Sequence, residues 1–370
     1  DRETGEWISS FDLFTCDEQE LLDAVFELTR LDDEVLMEEL KSIKATVKPD
    51  EIVLWLSKEQ FPRREEELPK ELLEYKKYGG KKEEHKKLCV FIENMDYETP
   101  NQFGYEIILG FKQAAFRDNW DVTVLPVNPT FQMRERYDTY MLKNGFTGAF
   151  FVGFALHDEW MAQLATTTIP TALFDNYVKK NPNVGYVGTD NFEGIDSAVD
   201  HICSLGHKRI AFLNGSLNSM VSEQRQQAFL DSMESHDMSV DENLLANGFY
   251  VADSAKYHVP NFLASGATAI LCGNDLLAYG TIEECRSRGF RVPEDISVIG
   301  FDDLPTSLTY SPPLTTVRQD RIELGKSGYY TLNSLIHHVS ISKTLLRPQF
   351  IVRESTTSAP KRRVKKESTL

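Results

Sequence analysis

The chain has 370 residues, of which 41% are hydrophobic and 26% charged, and its formal net charge is −17. This length allows two or three domains, each with its own core. The longest apolar run, "GAFFVGFAL", is far shorter than the roughly 20 residues that span a bilayer. An acidic surface repels phosphate backbones, which argues against a large nucleic-acid-binding surface. The acidic N-terminus has no apolar segment of the signal-peptide kind, so a cytoplasmic location is expected.

Residues 1–85 differ in composition from the rest of the chain. Residues 1–60 contain 17 acidic and 6 basic residues, with helical spacing in "DEQELLDAVFELTRL" and "DEVLMEELKSI". The following stretch, 61–87, is typical of a charged helix and linker, interrupted by Gly79-Gly80. We predict an acidic, mostly helical segment and charged linker over 1–85.

From Lys87 the chain alternates between short apolar strands and amphipathic helices. "KLCVFIEN", "DVTVLPV", "GAFFVGF", "PTALFDN" and "VGYVGTDN" are the strands of a first series, and "RIAFLNG", "NGFYVA", "TAILCGND" and "ISVIGFDD" those of a second. A last helix (321–339) and a last strand (346–353) follow, then a basic tail over 359–370 that we expect to be disordered. Strands that alternate with helices of 10–15 residues indicate βαβ units and parallel sheets.

The predicted fold is therefore α/β, with two lobes of doubly wound parallel sheet in residues 86–358. We expect lobe 1 to comprise about 86–188 and 317–341, and lobe 2 about 189–316 and 342–358. The five cysteines are widely spaced and form no Cys-x-x-Cys pair, which favours reduced thiols.

Polar residues follow four of the predicted strands, where ligands bind in open parallel sheets. These positions are Asn94–Asp96, Asp175-Asn176, Asn274-Asp275 and Asp302-Asp303. If the two lobes face each other, these positions converge on one cleft. Carboxylates and amides suit a ligand that carries hydroxyl or amino groups.

Five stretches in register resemble the lactose/galactose repressor (LacI/GalR) family of transcriptional regulators. They are "VGTDNFEGIDSAVDHICSLGHKRIAFLNG" (187–215), "SEQRQQAF" (222–229), "AILCGNDLLAYG" (269–280), "RGFRVPEDISVIGFDD" (288–303) and "PPLTTVRQDRIELGKSG" (312–328). The resemblance covers about 86–358. It implies a type I periplasmic-binding-protein-like fold with a cleft for a small effector, a sugar or related polar metabolite, and a homodimer that is regulated by allostery.

The resemblance also implies which residues contact the effector. Asp302 matches a ligand-contacting acid, Arg225 an arginine that holds hydroxyls or a carboxylate, and Asp175 an acid from the other lobe. The remaining candidates are an amide and three aromatic residues, namely Asn274, Tyr250, Tyr97 and Phe103. These residue types suit a sugar independently, because carboxylates and guanidinium groups bond paired oxygens and aromatic rings stack on apolar sugar faces. We expect Asp303 instead to cap the following turn.

Two expected features of the family, a basic helix-turn-helix and a hinge helix, are not recognisable in residues 1–85. Three explanations remain open: a DNA-binding domain upstream of Asp1, a divergent segment that binds DNA or a partner, or a sensor that acts only through protein contacts. Operator DNA is thus a possible partner through a region that this chain does not reveal.

Catalytic motifs are absent from the sequence: it contains no GxSxG, no HExxH and no phosphate-binding loop, since position 320 in "DRIELGKS" is Asp where that loop needs Gly. We therefore expect no enzyme activity, no cofactor, no metal and no membrane partner. The predicted function is a ligand-sensing transcriptional regulator. The alternative is a solute-binding protein that does not bind DNA and acts through a partner or a transporter.

Overall fold

The computed structural model describes residues 87–360. The predictions for the segment 1–85 and for most of the 359–370 tail lie outside this range. Within it, the predicted α/β class is confirmed: the chain forms two six-stranded, mainly parallel sheets, each covered by helices. Within residues 87–360, no helix is long and apolar enough to cross a membrane.

Lobe 1 begins with five strands, and helices separate all of them except the last two. Its elements are β1 (Lys87–Ile92), α1 (Phe103–Arg117), β2 (Asp121–Pro126), α2 (Pro129–Arg134), α3 (Tyr137–Lys143), β3 (Gly148–Val152), α4 (Glu159–Gln163), β4 (Thr171–Phe174) and β5 (Val184–Thr189). With β11 (Lys343–Leu346), which comes much later in the chain, the strand order is β11-β5-β4-β3-β1-β2, and all neighbours are parallel. Such strands are buried on both faces, which explains their continuous apolar runs.

Lobe 2 repeats the same arrangement. Its elements are α5 (Asn191–Ser204), β6 (Ile210–Asn214), α6 (Met220–Ser235), β7 (Leu245–Asn247), α7 (Ala255–Ala264), β8 (Ala269–Cys272), α8 (Asp275–Ser287), β9 (Ser297–Asp302), α9 (Pro305–Thr309) and β10 (Thr315–Arg318). With β12 (Gln349–Ile351), the strand order is β12-β10-β9-β8-β6-β7, and only the β10–β12 pair is antiparallel. The stretch "NGFYVA" was expected as a strand. The strand instead ends at Asn247, and Tyr250 has a left-handed φ of 60° that no strand accommodates.

The chain crosses between the lobes three times. After β5 it enters lobe 2. After β10 it returns as α10 (Arg321–Ile336), which packs against α1 and β5, and then as β11 (Lys343–Leu346). It crosses again to β12 (Gln349–Ile351). Residues 342–358 were expected in lobe 2, but β11 pairs with β5 in lobe 1, so this last crossing falls between Leu346 and Gln349.

Each sheet separates two apolar layers. In lobe 1, side chains alternate along β1: Val90 faces the layer of α1 and α10, whereas Phe91 faces the layer of α2, α3 and α4. Lobe 2 has one layer against α5 and α6 and another against α7 and α8. With both faces of each sheet covered, the carboxyl ends of the strands and the loops after them are left to form a binding site.

Candidate functional site

The carboxyl ends of the two sheets face each other. The loop after β3 meets the loop after β6, where the backbone N–H of Leu156 donates to the carbonyl oxygen of Asn218 over 3.0 Å. Deeper in the cleft, Arg225 of lobe 2 lies near enough to Asp175 of lobe 1 to lower the pKa of that carboxyl against the effect of burial. The structure therefore shows the two lobes in contact across the predicted cleft.

Arg225 is the cation at the centre of this cleft. Its side chain is only 3% exposed; Nε donates to Asn191 Oδ1 over 2.8 Å, and Nη1 donates to the Gly273 carbonyl oxygen over 2.5 Å. The guanidinium carbon lies 3.6 Å from the centroid of the Phe301 ring. These contacts hold the guanidinium plane in one orientation, which suits the recognition of paired oxygens.

Asp302 lies beside Arg225 at the end of β9. Its side chain accepts a hydrogen bond from Gln319 Nε2 over 2.7 Å. Burial raises the pKa of this carboxyl to about 6, although Arg225 opposes the shift. Its φ of 120° is sparsely populated for any residue other than glycine. Such strain concentrates at functional sites, where the surrounding structure maintains it.

Asp175 supplies the acid from lobe 1. It follows β4 with a left-handed φ of 53°, and burial raises the pKa of its carboxyl to about 7. Among residues 87–360, no group donates a hydrogen bond to its buried Oδ1 atom. Asp175, Arg225 and Asp302, all predicted from sequence, therefore come together between the lobes.

Asn274 and Tyr250 use their polar groups within lobe 2. Asn274 caps α8, because its Oδ1 accepts from the Leu277 N–H over 2.9 Å and its Nδ2 donates to the Tyr250 carbonyl oxygen over 3.1 Å. The Tyr250 hydroxyl lies 2.5 Å from Ser222 Oγ. Its ring occupies the space where a side chain on Gly215 would be. Both residues border the strand ends, and their contact with an effector stays a prediction.

Tyr97 and Phe103 lie in the loop after β1 and at the start of α1. Both are half-buried against the core of lobe 1. The Phe103 ring lies 6.1 Å from that of Phe174 at the end of β4, and the Arg321 guanidinium lies 5.9 Å from its centroid. Phe103 therefore lies close to Phe174, the residue that precedes Asp175, and its ligand contact also stays a prediction.

Asp303 does not cap the following turn as expected. Its Oδ2 accepts from Arg318 Nε over 2.6 Å, and its Oδ1 lies 2.7 Å from Arg353 Nη1. Partial burial alone would raise the pKa of Asp303, but these hydrogen bonds and positive charges hold it below its ordinary value. Two adjacent acids thus have opposite surroundings, since Asp302 faces the cleft and Asp303 is paired with arginines.

Asp275, another buried acid, stabilises the loop that follows β9 and Asp302. Asp275 is fully buried, and its carboxylate accepts hydrogen bonds from the Leu304 N–H, Ser307 Oγ and Thr316 Oγ1 over 2.6–2.8 Å. Burial and the nearby Asp302 raise its pKa to about 7. All its bonds are internal, so it holds the loop after β9 in place.

Two residues of the interlobe crossings, Thr189 and Gln319, were not predicted from the sequence as part of the site. Thr189 Oγ1 donates to Gln319 Oε1 over 2.6 Å, and Gln319 in turn donates to Asp302. The first and second crossings are thereby hydrogen-bonded to each other and to an acid of the cleft. The motif "TVRQD" contains Gln319, but Thr189 is more than 100 residues away in the chain.

Sequence reasoning also missed Glu93, which follows β1. It is buried, and Gln132 of α2 donates a hydrogen bond to its carboxylate. Burial, and secondarily the charge of Asp158, raise its pKa to about 7. Asp158 lies in the same loop as Leu156, so this acid pair adjoins the contact between the lobes.

A surface pocket of about 250 Å³ lies elsewhere in lobe 2, between β6, β7 and α6. Its walls are rich in amides, with Asn214, Gln226, Gln227 and Asn247 among the lining residues. None of the seven predicted site residues lines it.

Comparison with known proteins identifies relatives of this domain. The sequence profile of the periplasmic binding protein-like domain family matches residues 199–356. The HTH-type transcriptional repressor PurR of Haemophilus influenzae (strain PittEE) is 32% identical over 200 residues, or 52% of this chain and 59% of the relative. The chain thus matches less than two thirds of that relative's length.

Solved structures share the fold. A LacI family transcriptional regulator from Enterococcus faecium with bound ribose has a TM-score of 0.63 at 23% identity, covering 73% of this chain and 99% of its own. A dimeric Lac repressor has a TM-score of 0.63 at 24% identity, covering 74% and 99%. These relatives and neighbours are transcription regulators rather than enzymes, in agreement with the expectation that this protein has no enzyme activity.

Proposed function

Because residues 87–360 have the periplasmic-binding-protein-like fold and the sequence motifs of a LacI/GalR effector-binding domain, we propose that this protein is a ligand-sensing transcriptional regulator. The cleft between the lobes is the sensor, and its effector is a sugar or a related polar metabolite. The observation that carries the proposal is the buried arrangement of Asp175, Arg225 and Asp302 where the two sheets meet.

The residues of the cleft match a hydroxyl-rich effector. Carboxylates accept hydrogen bonds and the guanidinium donates them, so the set can bond several hydroxyls at once. The hydrogen bonds of Arg225 use Nε and Nη1, which leaves Nη2 for a ligand among the residues described. The neighbour from Enterococcus faecium contains ribose, which supports a sugar as the first candidate.

The effector acts by favouring one arrangement of the lobes. A ligand that bonds Asp175 on one lobe and Arg225 and Asp302 on the other has more contacts when the cleft is closed, so it shifts the population toward the closed form. The three crossings are the hinge, and Gln319 ties two of them to Asp302.

The proposal includes a homodimer. Lobe 2 exposes several large apolar side chains around α7 and the first turn of α8, where Phe249 is 76% exposed and Tyr257 68%. Such a patch on a globular domain is typical of a protein interface. One of the structural neighbours is a dimeric Lac repressor, which supports a second copy as the occupant.

The output is a change in DNA binding, in a cytoplasmic protein. The curated relative is named as an HTH-type repressor. The three explanations for residues 1–85 remain distinct: a DNA-binding domain upstream, a divergent segment that binds DNA or a partner, or regulation through protein contacts alone. Salt-dependent binding of the full chain to genomic DNA fragments supports the second, since counterion release makes phosphate contacts weaken with salt.

The alternative function is a solute-binding protein that acts through a partner or transporter. It has the same cleft but no DNA output. A chain that binds a sugar, and that neither binds DNA nor changes the DNA binding of a partner protein, favours this alternative.

The experiment that tests the sensor is thermal unfolding of the full chain with separate sugars, sugar phosphates, nucleosides and purines. A ligand at 100 times its Kd adds about 2.7 kcal/mol to the stability, which raises Tm by several degrees. Asp302→Asn keeps the shape of the side chain and should abolish the shift. A shift that survives in Asp302→Asn would place the ligand elsewhere, and the absence of any shift would contradict the sensor.

A further inference from the structure

Two buried oxygens in the cleft lack hydrogen-bond partners within residues 87–360. They are Asp175 Oδ1, after β4, and the hydroxyl of Tyr186, within β5. Tyr186 is only 1% exposed, so water does not replace the missing partners at the surface. Buried polar groups are nearly always bonded, and two exceptions in one place indicate a missing partner.

The two oxygens face the same small space. β4 and β5 are adjacent parallel strands. A Cβ atom built on Gly188 would lie 2.5 Å from Asp175 Oδ1 and 2.5 Å from the Tyr186 hydroxyl. Only glycine at 188 allows the two oxygens to lie here, because the Cβ atom of any other residue would clash with both.

Lobe 2 covers this space without supplying the missing bonds. Gln224 of α6 approaches the Tyr186 hydroxyl closely enough to lower its pKa, but the two groups do not meet in hydrogen-bonding geometry, and Gln224 Oε1 accepts a hydrogen bond from Asn191 Nδ2 over 2.8 Å. Arg225 faces the same region with its Nε and Nη1 engaged by Asn191 and Gly273. A group that enters from solution is therefore the partner that fits both oxygens.

We infer that the Tyr186 hydroxyl and the Asp175 carboxylate together bind one hydroxyl group of the effector, which makes Tyr186 a specificity-determining residue of the cleft. A hydroxyl donates one hydrogen bond and accepts two. It donates to Asp175 Oδ1 and accepts from Tyr186, so it satisfies both oxygens. The inference rests on the proposed sensor function and adds a residue and a group to it.

The first arm of the test needs no ligand. Tyr186→Phe removes a hydroxyl that has no partner, so the free protein should keep its Tm or gain stability. Tyr137→Phe is the matched control, because the hydroxyl of this equally buried tyrosine lies 2.6 Å from Thr171 Oγ1, and its loss should lower Tm. A Tyr186→Phe loss as large as that of Tyr137→Phe would overturn the inference.

The second arm measures affinity by calorimetry, with D-ribose, D-glucose and their monodeoxy derivatives as probes. Tyr186→Phe should weaken the binding of the recognised sugar by about tenfold, the effect expected of one lost hydrogen bond. Tyr137→Phe should bind that sugar as the wild type does. The monodeoxy derivative that lacks the recognised hydroxyl should bind equally to wild type and to Tyr186→Phe, because the hydrogen bond between that hydroxyl and Tyr186 is absent from both complexes.

The outcomes separate this inference from the proposed function. Wild-type affinity of Tyr186→Phe for the bound sugar would overturn the inference alone. If the protein binds free purine bases and no sugar, the inference is overturned, because these bases carry no sugar hydroxyl. The proposed sensor function would remain supported. The absence of binding by every probe and every compound of the wider panel would overturn both.

Discussion

Replacing Asp302 with asparagine should stabilise the effector-free protein near neutral pH, although it removes a residue of the proposed site. Asp302 is 6% exposed, and burial raises the pKa of its carboxyl from an ordinary value of 3.8 to about 6. Its charged form is thus less stable in the folded protein than in the unfolded chain, despite the nearby Arg225. Asparagine has nearly the same shape and can still accept the hydrogen bond from Gln319.

The raised pKa of Asp302 determines both the size of the stability difference between Asp302→Asn and wild type and its dependence on pH. The difference between the ordinary pKa of 3.8 and the value of about 6 for buried Asp302 corresponds to about 3 kcal/mol of stability. Between pH 4 and 6 the folded state holds the proton on Asp302 while the unfolded chain releases it, so wild-type stability falls as pH rises through this window. The asparagine side chain mimics the protonated form of the acid. The variant Asp302→Asn should therefore be about 3 kcal/mol more stable than wild type at pH 8, with the difference vanishing below about pH 4.

Denaturant and thermal unfolding between pH 4 and pH 8 measure this difference. Asp303→Asn is the matched control, because the adjacent acid is paired with Arg318 and Arg353 and its pKa is lowered. That variant should be less stable near neutral pH by about 1.5–3 kcal/mol, and the deficit should disappear as pH falls through the lowered pKa of Asp303. An Asp302→Asn variant that is no more stable than wild type at pH 8 would refute the reasoning.

Three further predictions concern two residues of the site and the boundary of the effector-binding domain. Arg225→Ala should cost about 3–5 kcal/mol by urea unfolding, because it leaves two buried acids without their cation; near-wild-type stability would show that Arg225 is not the counter-ion. Asn274→Ala should cost about 1 kcal/mol through loss of the α8 cap, and a loss of effector affinity much larger than the fall in stability would reveal a direct contact. The fragment 86–370 should fold and bind the same ligand as the full chain, and an insoluble fragment would show that the boundary is misplaced.

The strands and helices could be predicted because parallel strands buried on both faces leave continuous apolar runs between helical patterns. The opposite surroundings of Asp302 and Asp303 could not be predicted from the sequence. They depend on Gln319, Arg318 and Arg353, which reach the end of β9 only after the chain has folded. The sequence likewise did not reveal that Arg225 also forms internal hydrogen bonds to Asn191 and Gly273.

Tyr186 illustrates the same limit for the site. In the sequence it is one aromatic residue within a strand, and aromatic residues in strands are ordinarily core. Its relevance depends on an unpartnered oxygen in the neighbouring loop and on the absence of a side chain at Gly188. Similarly, the short link between β11 and β12 does not reveal that the two strands belong to different sheets.

The late crossings also bear on how the protein is synthesised. The first sheet lacks β11 and the cover of α10 until the chain beyond residue 343 emerges from the ribosome, although its first five strands are complete at Thr189. About 150 residues separate these points, which at roughly 5–20 residues per second is an interval of roughly 8–30 s. During this time the apolar face meant for α10 and the open edge of β5 are exposed on the nascent chain. Chaperones that shield such surfaces during translation should therefore determine the yield of this protein more than the stability of the finished fold does.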